Sequence, residues 1–176
     1  MSKPVIREDL FSILRGQDDE LRQLRKTATR ISALRAGRWT AGVATGGGQP
    51  AAGQAFNWVN QDSITDTELF TRVTYSSQSQ GSIRVNWPGW YRITSNVLTS
   101  GTASARHDCL LVRDLAASGS ETLESSLCMS TPDGWGRHKF SRLALLEAND
   151  KIRVSSAAQQ HYTDPAWCAL EITLET

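Results

Sequence analysis

Between residues 69 and 174 the chain alternates apolar and polar residues in eight short segments, and this period of two constrains the fold more than any other feature. The segments are 69–75, 82–86, 90–98, 107–113, 122–129, 139–145, 151–154 and 166–174. Turn-forming sequences separate them: Ser79-Gln-Gly81, Pro88-Gly89, Ser100-Gly101, Ser118-Gly-Ser120, Pro132-Asp-Gly134, Asn149-Asp150 and Asp164-Pro165. Successive side chains of a strand point to opposite faces, so each segment offers one face to a core and the other to solvent or a partner. Eight such strands at regular spacing predict an all-β sandwich or barrel. In the last, Cys168, Leu170, Ile172 and Leu174 share the expected core face, while Trp167, Ala169, Glu171 and Thr173 share the outer one.

The first 38 residues obey a different period. Leu10, Phe11, Ile13 and Leu14 recur at helical spacing, and Leu21, Leu24, Ala28 and Ile31 continue in alternating steps of three and four. Pro4 suits a helix start and Gly37 a helix stop, which predicts helix over roughly 5–36. Gly16, followed by Gln17-Asp18-Asp19-Glu20, also allows two helices, about 5–15 and 18–36. Such a helix has one apolar stripe and is marginal in water, so it needs a partner surface. Leu10, Phe11, Ile13, Leu14, Leu21, Leu24, Ala28 and Ile31 are the expected seam for oligomerisation or docking. The expected domains are a helical stalk or docking segment over 1–38, a Gly/Ala-rich connection over 39–55, and a β-sandwich head over 56–176.

Charge excludes several partners. The stalk holds nine Lys/Arg and five Asp/Glu, net +4, and the remainder is net −3, giving +1 for all 176 residues. No large field of one sign recruits nucleic acid or an anionic membrane. The basic residues of the stalk lack interleaved aromatics and are broken by acids, as on a solvated helix face. No run approaches the ~18 apolar residues of a membrane span, and the first residues carry acids where a secretory signal has a basic end. The expectation is a chain made in the cytoplasm, with neither signal peptide nor transmembrane segment.

The stretch Gly81-Ser-Ile-Arg-Val-Asn-Trp-Pro-Gly-Trp-Tyr-Arg-Ile-Thr-Ser-Asn-Val97 resembles C1q/TNF-like jelly rolls: a short strand, Pro-Gly, an aromatic pair, then a long alternating strand. Leu143-Ala-Leu-Leu-Glu-Ala-Asn-Asp-Lys-Ile-Arg-Val154 is similar to the late segment of that family, where a leucine-bearing strand meets a Gly-Asp turn. Asn149 stands where the family usually has Gly, a departure that a left-handed turn position tolerates. The resemblance covers roughly 65–176. It implies a mainly β fold, a jelly-roll sandwich preceded by a coiled-coil-like helix, and assembly as threefold trimers. The order of helix, glycine connection and jelly roll further resembles tail-tip, fibre or receptor-binding proteins of bacterial viruses, assembled in the host cytoplasm.

Catalytic motifs are missing from the sequence. His107, His138 and His161 accompany no nucleophile motif, and His107 and Asp108 are adjacent in a strand and so face apart. These histidines are expected at the surface or partly buried. Asp62/Asp66 and Glu121/Glu124 would serve a glycosidase only at the right separation, and Asp62, Asp66 and Glu68 lack the order of a calcium loop. Cys109, Cys128 and Cys168 form no zinc pattern; a Cys109–Cys128 bridge stays open. No cofactor or metal is expected.

Six tryptophans carry more information. Trp58 and Trp90 are expected to pack inside. Trp87, beside Pro88-Gly89, Trp135, in a Pro-Asp-Gly-Trp-Gly loop, and Trp167, on the outer face, are candidate contacts to a ligand or host surface, with Tyr162. Flat aromatic faces suit sugars and protein interfaces alike. The expectation is a non-enzymatic virion protein: a homotrimeric tail-tip or fibre head, joined through its helix to other virion proteins, with a host-surface glycan as candidate ligand. The alternatives are a decoration or adhesin protein without receptor binding, and a carbohydrate-active enzyme.

Overall fold

The computed structural model of the chain describes residues 16–24, 36–41, 54–74, 81–156, 160–161 and 166–175. Two compact units divide at residues 34 and 35. In the first, residues 16–24 are helical, Gly16 included, and Leu21 and Leu24 are exposed. The rest of the expected seam, Leu10, Phe11, Ile13, Leu14, Ala28 and Ile31, lies outside the described residues.

The second unit contains eleven described strands: β1 (Ala36–Ala41), β2 (Trp58–Gln61), β3 (Phe70–Thr74), β4 (Gly81–Val85), β5 (Gly89–Ser100), β6 (Arg106–Asp114), β7 (Ser120–Met129), β8 (Trp135–Leu146), β9 (Lys151–Ser156), β10 (Gln160–His161) and β11 (Ala169–Leu174). All eight alternating segments form strands. They pair antiparallel in two sheets. In the first, β5 lies between β8 and β11, which leads to β1 and β2, and β10 extends the pairing of β5 beyond β11. The second runs β3-β4-β9-β6-β7. The chain changes sheet between β2 and β3, β4 and β5, β5 and β6, β7 and β8, β8 and β9, and β9 and β10, the repeated crossing of a jelly roll.

Inward residues of both sheets build one core. Trp39, Phe56, Trp58, Phe70, Tyr91 and Phe140 supply its aromatic part, with Phe70 edge-on to Trp39 at 5.5 Å and to Tyr91 at 5.9 Å. Cys168, Leu170 and Ile172 are buried as their parity requires, and Leu174 packs partly buried against the core. Three expectations are corrected. The stretch assigned to the helix end and the connection is, over Ala36–Ala41, a strand paired with β11 and β2, because Trp39 and Ala41 reach the core at alternate positions. Gly37 serves that strand: the Trp39 ring lies against it where a side chain would stand. Trp90 faces outward, 53% exposed, since only one of two adjacent strand residues can face in and Tyr91 takes that place.

Asn149 has φ of 74°, the left-handed conformation its turn demands. Beside it, Asp150 is buried and accepts from the Arg113 guanidinium and from the backbone N–H groups of Ala116 and Glu147 at 3.0 and 2.8 Å. This carboxylate ties the β8–β9 turn to β6.

Candidate functional site: a tryptophan concavity over a polar interior

The long β5–β8 ladder places its functional side chains by parity alone. Leu98 lies opposite Arg137 and Ser100 opposite Trp135, so Trp135 and Arg137, two residues apart, share the outward face. Trp135 is fixed by the preceding turn. Its N–H donates to Thr131 Oγ1 at 3.1 Å, its carbonyl accepts from the Thr131 N–H at 2.8 Å, and Gly134 takes φ of 81°. Trp167 arrives from the turn before β11, held by Cys168, whose buried sulfur accepts from the Leu98 N–H at 3.3 Å.

Together with Leu98, Cys128, Met129 and Thr131, these residues line an open concavity of about 570 Å³. The Arg137 guanidinium carbon lies 4.9 Å from the centroid of the Trp167 ring. Such a cation over an indole face is held electrostatically. Among the described residues, Arg137 is the only charged one in the lining. Cys128 adds no charge, because burial pushes its thiol pKa up.

Immediately inside this wall the sandwich interior turns polar. The Thr99 hydroxyl donates to the Gly136 carbonyl and lies 2.9 Å from His107 Nδ1 and 3.2 Å from His138 Nε2. His138 Nδ1 is 3.2 Å from Ser126 Oγ, and its Nε2 is 3.6 Å from Cys128 Sγ. Both histidines are fully buried, not at the surface as expected. Burial, with the nearby His107 adding to it, lowers the His138 pKa to about 4, so the ring is neutral near pH 7. Gly136 leaves room for the cluster: a Cβ there would stand 2.5 Å from His107 Nδ1 and 2.8 Å from Thr99 Oγ1. Sequence reasoning missed this group, although His107 shares parity with Cys109, and His138 with Phe140, both core residues.

Of the four candidate contacts, Trp135 and Trp167 come together. Trp87 is exposed at the other end of the ladder, before Pro88, and its carbonyl accepts from the Tyr91 hydroxyl at 2.8 Å. Tyr162 lies outside the described residues. A second exposed apolar group gathers near Trp87, where Trp90 is directly opposite Leu145 and diagonal to Leu143.

The acidic candidates have local structural roles. Asp62 accepts from the Ile64 N–H, and Asp66 from those of Glu68 and Leu69. Glu124 accepts from the Ser141 N–H, and Glu121 lies 3.6 Å from Arg113. Among the described residues no group of three His, Cys, Asp or Glu side chains is placed to hold a metal. None of the three cysteines is in a disulfide; β6–β7 pairing sets Cys128 opposite His107 and Cys109 opposite Ser126. Among the described residues no helix is long and apolar enough to cross a membrane.

Comparison with solved structures gives the class of fold. A TNF of S. frugiperda, Eiger, superposes with a TM-score of 0.64 at 16% identity, over 80% of this chain and 92% of that one. Murine APRIL, in a crystal structure at pH 5.0, gives 0.58 at 14% identity, covering 80% and 99%. The globular domain of zebrafish complement 1qA gives 0.58 at 12% identity, covering 81% and 98%. The chain therefore has the jelly-roll fold shared by TNF and C1q-like domains. No family profile and no curated protein sequence matches it.

Proposed function

We propose that this chain is a non-enzymatic trimeric binding protein, a jelly-roll head carried on an N-terminal helix that joins it to a larger assembly. The observation that carries this reading is the outward face of the β5–β8 ladder. Trp90, Leu143 and Leu145 form one exposed apolar group there, and Trp135 and Trp167 bound a concavity at the far end. Grouped exposed apolar side chains mark interaction surfaces. The TNF/C1q-like fold favours a threefold assembly, and the Trp90 group is the surface offered to the neighbouring copies. The Trp135–Trp167 concavity is the surface offered to a host glycan.

The order of helix, connection and jelly roll supports a place at the tail tip or fibre of a bacterial virus. The helix, with Leu21 and Leu24 exposed on it, is the segment that docks to other virion proteins.

The test is native mass. Light scattering at micromolar concentration is expected to give three times the 19.4 kDa chain mass, and Trp90→Asp with Leu145→Asp is expected to shift it toward one. A stable, compact monomer of the unaltered protein overturns the trimeric reading. A trimer that leaves susceptible cells unbound favours the decoration protein instead.

A further inference from the structure

We propose that the Trp135–Trp167 concavity is a subsite for a carboxylate-bearing sugar, its ring packed against the indoles and its carboxylate held by Arg137. The inference rests on the glycan-binding reading above and names the class of sugar. Its basis is charge. Arg137 has no carboxylate within ion-pair distance among the described residues, whereas Arg92, Arg106, Arg113 and Arg153 each have one. Among the described residues no Asp or Glu lines the concavity, and burial pushes the Cys128 thiol pKa up, keeping it neutral. A guanidinium that lies over an indole, bordered by apolar walls and with no carboxylate partner among the described residues, is a ready site for a planar anion that accepts two parallel N–H bonds.

The remaining lining decides what carries the anion. The concavity is open, and Trp167 is 49% exposed, so it does not enclose an alkyl chain as a dry pocket would. Indole faces instead cover one apolar side of a ring whose edges stay hydrated. The Thr131 hydroxyl oxygen accepts from the Trp135 N–H and keeps its own hydrogen to donate to a sugar hydroxyl. Leu98 and Met129 complete the apolar floor. A pyranose bearing a carboxylate matches all three features: one apolar face, hydroxyl edges and a single negative charge.

The experiment titrates the full-length protein with glucuronate, galacturonate and N-acetylneuraminate, with glucose and galactose as neutral counterparts, reading tryptophan fluorescence and calorimetry. A single sugar residue is expected to bind with a dissociation constant of about 1 mM, the scale of a small ligand at an open site. At least one acidic sugar is expected to bind roughly 10-fold or more tightly than its neutral counterpart, as a charged hydrogen-bonded pair implies. Arg137→Gln should erase that ratio, and Arg137→Lys should restore part of it. Trp167→Ala should weaken both kinds of sugar.

Equal binding of acidic and neutral sugars, or an acid preference that survives Arg137→Gln, overturns the carboxylate assignment and leaves glycan binding standing. Tighter binding of benzoate or octanoate than of any acidic sugar overturns the saccharide assignment. Binding of no sugar, with both indoles shielded from iodide quenching in a trimer, overturns this subsite and the glycan reading together. Arg137 is exposed, so its variants test binding without disturbing the core.

Discussion

The two ends of the sandwich solve the same closure problem with different chemistry. At the end near Gly89 and Leu146, the interior is apolar, built from Phe70, Val85, Tyr91 and Leu146, and a single buried carboxylate, Asp150, ties the turn above it. At the end near Ser100 and Trp135, the interior is Thr99, His107, His138 and Ser126, with the tryptophan concavity outside. About ten residues of β5 separate them, roughly 30 Å of extended chain. The difference teaches where each end is vulnerable. The first depends on one charge pair, whereas the second depends on neutrality and on exact space around small groups.

The largest effect is expected at the first end. Asp150→Ala removes the partner of a largely buried Arg113 and leaves the Ala116 and Glu147 N–H groups without their acceptor. Breaking one side of a buried pair costs about 3–5 kcal/mol. Glu121, 3.6 Å from Arg113 and more exposed, offsets only part of this. Urea unfolding should show the loss, with Asp150→Asn intermediate because an amide oxygen still accepts. A loss below about 1 kcal/mol would mean that the turn is held by its apolar neighbours, and the contrast between the ends would fail.

Much of this contrast was legible in the sequence, in the parts that depend on parity. The eight alternating segments, the core set of the last strand, the outward Trp167 and the left-handed Asn149 all follow from local pattern. Strand β1 did not. Its Gly37-Arg-Trp-Thr-Ala41 alternation is short, adjoins a helical pattern, and gains its meaning from β2 and from β11, the latter more than a hundred residues later. The site was half legible. Trp135 stands out in its Pro-Asp-Gly-Trp-Gly loop and Trp167 on the outer face of the last strand, but nothing local brings them together, and Arg137 carries no local signal although it shares a face with Trp135. The buried histidines were readable from strand parity. Titratable side chains suggest a surface, and here the hydroxyls of Thr99 and Ser126 reverse that tendency.

A smaller effect is expected from overfilling the polar end. Gly136→Ala places a methyl group 2.5 Å from His107 Nδ1, 2.8 Å from Thr99 Oγ1 and 3.0 Å from Cys128 Sγ. These are held side chains of a packed interior, so the strain is about 1–3 kcal/mol. Calorimetric melting would detect it. Because the ends are far apart, Asp150→Ala and Gly136→Ala should add to within about 0.5 kcal/mol in the double variant. A clear departure from additivity would mean that the two ends unfold as coupled parts.

The smallest effect separates the ends by pH. The His138 ring titrates near 6.5 when unfolded but only at about 4 when folded, because burial and the neighbouring His107 disfavour its cation. Between those values the unfolded chain holds more protons, so acid favours unfolding. Stability from this group is therefore nearly complete above pH 6.5 and declines as pH falls toward 4, with on the order of 2 kcal/mol lost by about pH 5. Carboxylates also respond near the lower limit, so the decisive measurement is a difference. Urea midpoints of the unaltered protein and of His138→Gln, compared at about pH 7 and about pH 5, should show a steeper acid loss in the former. The first end has no histidine among the buried residues that close it. Equal slopes for the unaltered protein and His138→Gln would show that the polar interior admits a proton without strain, and neutrality would no longer distinguish the two ends.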